Sequence, residues 1–221
     1  MEKGVQKFII KHPTLEDAQA ITDLVSLCDI EEIGEPDITL SDVLDMWNSI
    51  QIETDAWIAL STTNVMIGYG FVEVTGANRM DTCVFVHPQY KNQGIGSLLL
   101  KKVEERAKVL AKGKDSGQKL MNQIPFTNTA ARNLVEDRGY RFSRLYERMK
   151  IELKGQPNLP QLPEGITLRS FQPNYDEETL FSIYDETFRD TWGYTKKDSS
   201  TWITQKNGDG YDPSLWIIAW K

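Results

Sequence analysis

Cysteine and histidine are scarce, two of each in 221 residues. Cys28 and Cys83 have no Cys-x-x-Cys spacing and no companion histidine, so neither a zinc site nor a disulfide framework is suggested and no metal is assigned. Lone thiols of this kind fit a reducing, cytoplasmic home. Long hydrophobic runs are missing as well. None approaches the roughly 20 residues of a membrane span, and Met1 to Gly4 leads into a strand-like stretch with no apolar signal core, so no membrane partner is expected. Clusters of Lys and Arg are also lacking, and with a net charge of −7 this argues against a nucleic-acid surface. The acidic balance suits a cationic partner such as an amine.

What is present is enough for a packed core: 40% apolar and 26% charged residues, in a chain long enough for one full domain and something smaller. Lys7 to Lys11 reads as a strand, and Thr14 to Asp17 as the cap of a helix with apolar positions at Ala18, Ile21, Leu24, Val25 and Cys28. Ser41 is expected to cap a second helix carrying Val43, Leu44 and Trp47, after an acidic loop over Glu31 to Thr39. Ala56 to Leu60 and Val65 to Val74 read as a hairpin, and Thr82 to Val86 as a further strand ending at His87-Pro88. Ile95, Leu99, Val103, Ala107 and Leu110 mark one face of an amphipathic helix lying on a sheet. A strand at Leu120 to Ile124, a helix from Asn128 to Gly139 and a final pair of strands over Tyr140 to Leu153 complete this unit. Gln156 to Gly165, with three prolines, has the composition of a linker. The expected division is a domain over 1–155, a linker over 156–165 and a second unit over 166–221.

That second unit repeats the first. Ile166 to Arg169 matches Phe8 to Lys11, Asp176 follows Asp17 by 159 residues, and Leu215-Trp216-Ile217 follows Ala56-Trp57-Ile58 by the same 159. Matching offsets suggest duplication, with the second copy reaching only a first strand, two helices and a second strand. Either the sequence is truncated, or Trp216 to Trp220, an apolar strand lacking its hairpin partner, pairs with the first domain or with a second copy as a homodimer.

Between Val86 and the amphipathic helix lies Lys91-Asn92-Gln93-Gly94-Ile95-Gly96. Early helix N–H groups lack intrahelical partners and carry partial positive charge, so Gln93 to Ser97 can hold a pyrophosphate, with glycine letting the backbone approach. A glycine pair here can equally serve a turn or close helix–strand packing. The loop is neither a Rossmann fingerprint nor a P-loop, because Leu99 stands at the third glycine position and no Gly-Lys-Ser/Thr follows.

Val86-His87-Pro88 leading into this loop resembles the GNAT superfamily of acyl-CoA-dependent N-acetyltransferases, whose loop reads Arg/Gln-x-x-Gly-x-Gly/Ala. Lys11-x-x-Thr14-x-x-Asp17, Gly68, Asn128-x-x-Ala131 and Gly139-Tyr140 extend the likeness over most of residues 8–153. The duplication is similar to tandem GNAT proteins such as the mycothiol synthase group. The resemblance implies an α/β fold: a mixed, mostly antiparallel sheet splayed between strands four and five and flanked by helices. It implies acetyl-CoA as cosubstrate, with Val84 and Val86 offering backbone groups to the pantetheine, Lys91, Asn92, Gln93, Gly94, Ile95, Gly96 and Ser97 holding the pyrophosphate, and Asn128 facing the cofactor. Lys91 replaces the usual Arg or Gln, keeping the charge and losing the planar fork. Val135 stands where many members carry a tyrosine that protonates the leaving thiolate.

Direct transfer needs a neutral amine, and an amine of pKa ~10.4 costs about 4.6 kcal/mol to deprotonate at pH 7. A base is therefore expected, with Glu73 and Asp81 as candidates near the matched strands; Tyr140 and Tyr146 could supply an acid. The same carboxylates read more readily as ordinary solvated strand ends, Tyr140 as core, and His87 as structural. Cys83 has no partner placed to make it a nucleophile. The Trp57, Trp192, Trp202 and Trp216 set suits packing. Two functions follow: an N-acetyltransferase acting on a small-molecule or peptide amine, or a non-catalytic acyl-CoA-binding domain whose activity lies in a complete second domain.

Overall fold

Four successive β-rich runs near the start of the chain become one antiparallel ladder. The computed structural model describes residues 8–114, 117–157, 161–196, 199 and 212–221. They fall into two units, Met1–Arg141 and Phe142–Lys221, which meet ahead of the proline-rich stretch expected to divide them.

In the first unit β1 (Phe8–Lys11), β2 (Ala56–Ser61), β3 (Met66–Gly76) and β4 (Arg79–Val86) pair antiparallel in that order. β5 (Lys119–Asn122) joins β4 in parallel. A parallel neighbour requires a crossover, which α4 (Ile95–Ala111) supplies. The sheet buries both faces. On one side α1 (Ala18–Ile33) and α2 (Leu40–Trp47) pack Ile21, Leu24, Val25, Val43 and Trp47 against Tyr69 and Phe71. On the other, α4 sets Ile95, Leu99, Leu100 and Val103 against Ile67, Val72 and Met80.

Strand alternation then divides β4: Cys83 and Phe85 face the α1 side, Val84 and Val86 the α4 side. α4 lies so close to β3 that a Cβ on Gly68 would stand 2.8 Å from both Ile95 Cγ2 and Leu99 Cδ1. The glycine is therefore a packing requirement. Trp47 Nε1 donates to the buried Tyr69 hydroxyl at 2.9 Å and ties α2 to the sheet.

Several boundaries differ from expectation for physical reasons. Thr39, not Ser41, caps α2: its extended backbone lets Oγ1 accept from Asp42 N–H at 3.2 Å while the Asp42 carboxylate accepts from Thr39 N–H at 2.8 Å. α1 runs to Ile33 and closes on Gly34 at φ +88°, so Glu31 and Glu32 are helical and the acidic loop begins only after them. A short helix, α3 (Ile52–Asp55), precedes β2, with buried Asp55 accepting from Gln51 N–H at 2.9 Å and ion-paired to Arg106 at 2.7 Å.

Tyr140 to Leu153 forms no strands. The alternation of Met149, Ile151 and Leu153 supplies a strand-like sequence, yet pairing needs a neighbour's backbone, and all three side chains are exposed. After α5 (Thr129–Glu136) the described residues of the first unit add nothing beside β5.

The second unit holds β6 (Thr167–Ser170), α6 (Glu177–Phe188) and β7 (Ile217–Trp220), the strands pairing antiparallel. Its pairs Thr167↔Trp220 to Ser170↔Ile217 fall 159 residues after Phe8↔Ser61 to Lys11↔Ile58. Arg169 grips the buried Asp176 through both carboxylate oxygens and lies over the Trp220 ring, and Trp216 packs on Phe171. Most of the stretch expected to hold the second helix, and Trp202 with it, lies outside the described residues.

Candidate acyl-CoA site

β4 pairs with β3 as far as Gly68↔Val86 but with β5 only from Arg79↔Lys119 to Thr82↔Asn122. Beyond Thr82 the two central strands part. His87 N–H bonds Ile67 O at 3.0 Å, which fixes the parity of the ladder. Odd residues of β4 turn their backbone groups to β3, and Val84 and Val86 turn theirs into the gap. The Val86 carbonyl there accepts from Cys28 Sγ at 3.4 Å.

At the outer end of this gap the chain makes a 3-10 turn over Pro88–Tyr90. His87 Nδ1 accepts from Gln89 N–H at 3.2 Å and its ring meets Tyr90 edge-on, so His87 shapes the loop. Asn92 at φ 61° and Gly94 at φ 81° then turn the backbone into α4, whose first turn has no capping side chain. The N–H groups of Ile95, Gly96 and Ser97 are left to an external acceptor. The Ile95 side chain itself is buried in the core, while Asn92, Gln93, Gly94 and Ser97 are exposed. An open strand edge continuous with an uncapped helix N-terminus fits an extended ligand with amides along its length and phosphates at one end.

Lys91 and Asn128 are both engaged, by consecutive acids of α1's last turn. Lys91 Nζ is ion-paired with Glu31, and Asn128 Nδ2 donates to Glu32 Oε1. Asn128 Oδ1 is committed to α5, accepting from Ala131 N–H at 3.0 Å, so only its amide nitrogen can change partner. Burial raises the Glu32 carboxyl above its ordinary pKa, helped by Glu31 and Asp29 and opposed by the Asn128 hydrogen bond and Lys91. Cys28, one turn back on α1, is pushed up to about 12 by burial first and by Glu32 next.

Glu73 and Asp81 are direct cross-strand partners, and β4's alternation puts them on the α1 side of the sheet at the base of the gap. Glu73 Oε1 lies 2.7 Å from Ser49 Oγ, and Asp81 accepts from Arg79 Nε at 2.8 Å. Cys83, the next residue on that face, is held up to about 12 by burial, then by Asp81 and Glu73, which keeps it a thiol. Tyr146 belongs to the second unit, where its ring meets Trp192 at 6.3 Å. Among the described residues no group of three or more His, Cys, Asp and Glu is placed to hold a metal, and no helix is long and apolar enough to cross a membrane.

The sequence pattern did not single out Glu31 and Glu32. A signal existed: from Lys11 to Arg79 there is no Lys or Arg, so the whole α1–α2 side is acidic and any cation Glu31 meets must come from elsewhere in the chain.

Residues 53–149 match the family model of the acetyltransferase (GNAT) domain. The chain is 34% identical over 100 residues to a mycothiol acetyltransferase of Renibacterium salmoninarum, covering 44% of this chain and 27% of that one. It is 28% identical over 156 residues to the mycothiol acetyltransferase of Salinispora arenicola, covering 70% and 48%. It thus spans about half, or less, of the curated relatives it matches. A GCN5-related N-acetyltransferase from Sphaerobacter thermophilus superposes with a TM-score of 0.78 at 26% identity, over 97% of this chain and 68% of that one. The yncA protein of Salmonella typhimurium, solved with acetyl-CoA, shares the fold at a TM-score of 0.51 and 18% identity, over 62% and 82%. By sheet order and the parting of β4 from β5 the first unit of this chain has the GNAT fold, and within it the match to the acetyltransferase (GNAT) domain begins at residue 53.

Proposed function

We propose that this domain binds acetyl-CoA and passes its acetyl group to a primary amine by direct attack. The observation that carries the reading is the open edge of β4 at Val84 and Val86 running into the uncapped turn of α4 at Ile95 to Ser97. Bound there, acetyl-CoA supplies an activated acyl thioester. Val84 backbone groups bond its amides, the helix N-terminus and Lys91 neutralise its phosphates, and Asn128 Nδ2 turns from Glu32 to the ligand. Glu73 and Asp81, on the acidic side of the sheet, favour a cationic acceptor and take up the proton the amine must lose. Cys83 stays a thiol, which supports transfer without an acyl-enzyme.

Titration of acetyl-CoA against the chain and against Gly94→Glu tests the cradle; equal binding by both would sink it. Thiol release from acetyl-CoA across an amine panel tests the transfer, and turnover no faster than hydrolysis would leave only the binding module. That second reading draws on Val135, which offers no hydroxyl at its own position, and on the share of the relatives' length spanned here. The constant 159-residue offset between the β1–β2 and β6–β7 pairings supports a tandem organisation.

A further inference from the structure

Ser49, two residues past the end of α2, meets two acceptors with one proton. Its Oγ lies 2.6 Å from Met46 O and 2.7 Å from Glu73 Oε1. The Met46 carbonyl already accepts from Ser49 N–H at 3.0 Å, so it is satisfied whether or not the hydroxyl turns to it. The hydroxyl can therefore serve Glu73 in either charge state. Facing a carboxylate it donates; facing a carboxylic acid it accepts and gives its own proton to Met46 O. A lysine or arginine in its place could only donate. The geometry around the pair is fixed by the fold. Trp47 Nε1, bonded to Tyr69 Oη at 2.9 Å, pins the end of α2 to β3, and strand alternation puts Tyr69, Phe71 and Glu73 on one face. Opposite Glu73 stands Asp81, a like charge already engaged by Arg79 Nε at 2.8 Å. Among the described residues Ser49 is the hydrogen-bond partner of the Glu73 side chain.

We propose that Ser49 is a positioning residue for proton uptake: it holds the Glu73 side chain in one place before and after the carboxylate receives the amine's surplus proton. The assignment rests on reading this domain as an acetyl-CoA-dependent transferase with Glu73 as the proton acceptor. In the step, the C–N bond forms, the C–S bond breaks with its electron pair leaving on sulfur, the nitrogen's extra proton passes to the Glu73 carboxylate, and the thiolate takes a proton from water. Protonated on Oε2, Glu73 still accepts from Ser49 through Oε1. Protonated on Oε1, it donates to Ser49 Oγ, whose own proton swings to Met46 O. Both routes keep the carboxyl group where the amine met it, so no side-chain rearrangement accompanies the transfer.

Ser49→Ala removes the hydroxyl at an exposed position, so the unfolding midpoint should not move. The expected result is a kcat lower by about tenfold, with KM for acetyl-CoA within about twofold. Ser49→Thr, which keeps the hydroxyl, should restore most of the rate, and Ser49→Ala should cost nothing further when added to Glu73→Gln. An independent readout is the set of side-chain couplings of Glu73 measured by nuclear magnetic resonance. They should report one rotamer in the unsubstituted protein both above and below the titration of the carboxyl group, and rotamer averaging in Ser49→Ala. An undiminished kcat in Ser49→Ala, a threonine variant no better than alanine, or a Glu73 side chain equally ordered without the hydroxyl overturns the assignment and leaves the transferase reading intact. Absence of transfer by the unsubstituted protein overturns the transferase reading, and the Glu73 couplings still decide whether Ser49 positions the carboxylate.

Discussion

Lys91, in the loop ahead of α4, is ion-paired with Glu31 in the last turn of α1. The pair sets a carboxylate beside the turn best suited to phosphate. Phosphates must therefore displace Glu31 from Lys91 and sit next to the acid they displace. Both side chains keep substantial solvent contact, so the penalty is screened and amounts to about 0.5–1 kcal/mol. Glu31→Gln should tighten acetyl-CoA binding about two- to fivefold at low salt, and the gain should shrink at high salt as screening grows. Calorimetric titration at two ionic strengths checks it, and affinity unmoved at either would show that the pair yields without cost.

Gly68 sets how closely α4 approaches the sheet. A methyl there meets Ile95 Cγ2 and Leu99 Cδ1 at 2.8 Å, and both residues are among the most buried of the core. Gly68→Ala should cost about 1–3 kcal/mol, as overpacking of a filled core does. Displacing α4 also shifts its N-terminal turn, so cofactor affinity should fall together with the denaturation midpoint. An alanine variant of native stability would mean that α4 gives way freely.

Glu32 carries a pH signature of a definite sign. Its folded-state pKa is raised by burial, so the folded protein holds this proton more tightly than the unfolded chain does. Stability from this group is present at low pH and is lost as pH rises from the unfolded value, ~4.3, through the higher folded one. Glu32→Gln keeps an oxygen to accept from Asn128 Nδ2 and removes the charge. The variant should unfold at a higher temperature than the parent at neutral pH, with the difference vanishing near pH ~4. An advantage of equal size at both pH values would point to packing instead.

The parts legible in the sequence are those written in neighbouring residues. The 3.6 periodicity of Ile95, Leu99, Val103 and Ala107 fixes α4, and Gly94 at φ 81° with Gly96 marks its uncapped start. Val84 and Val86 enter only through the family resemblance, and it is the parity of the β3–β4 ladder that turns their backbone groups into the gap. Thr39 and Ser41 both look like caps, and only the reciprocal bonds of Thr39 with Asp42 separate them. The pairing of Lys91 with Glu31 and of Asn128 with Glu32 joins residues far apart in the chain, where no local pattern operates. Tyr140 to Leu153 has the alternation of a strand, and whether such a segment pairs depends on what backbone lies beside it.

Cys83 offers a test of whether acetyl passes through an acyl-enzyme. It stands one residue beyond Thr82, on the acid side of the gap, where a nucleophile would be placed. Burial, Asp81 and Glu73 hold its pKa at about 12. At pH 7 its thiolate fraction is then about 10⁻⁵, compared with a few per cent for an ordinary exposed cysteine. Native protein should resist alkylation at Cys83 under conditions that modify the unfolded chain readily. Cys83→Ala should leave acetyl transfer within about threefold, the cost being a small cavity and not a lost step. Mass spectrometry after mixing with acetyl-CoA alone should find no acetylated Cys83. A stoichiometric acetyl-thioester at that residue, or a variant devoid of transfer, would replace direct attack with a two-step route and make the neighbouring carboxylates servants of the sulfur instead of the amine.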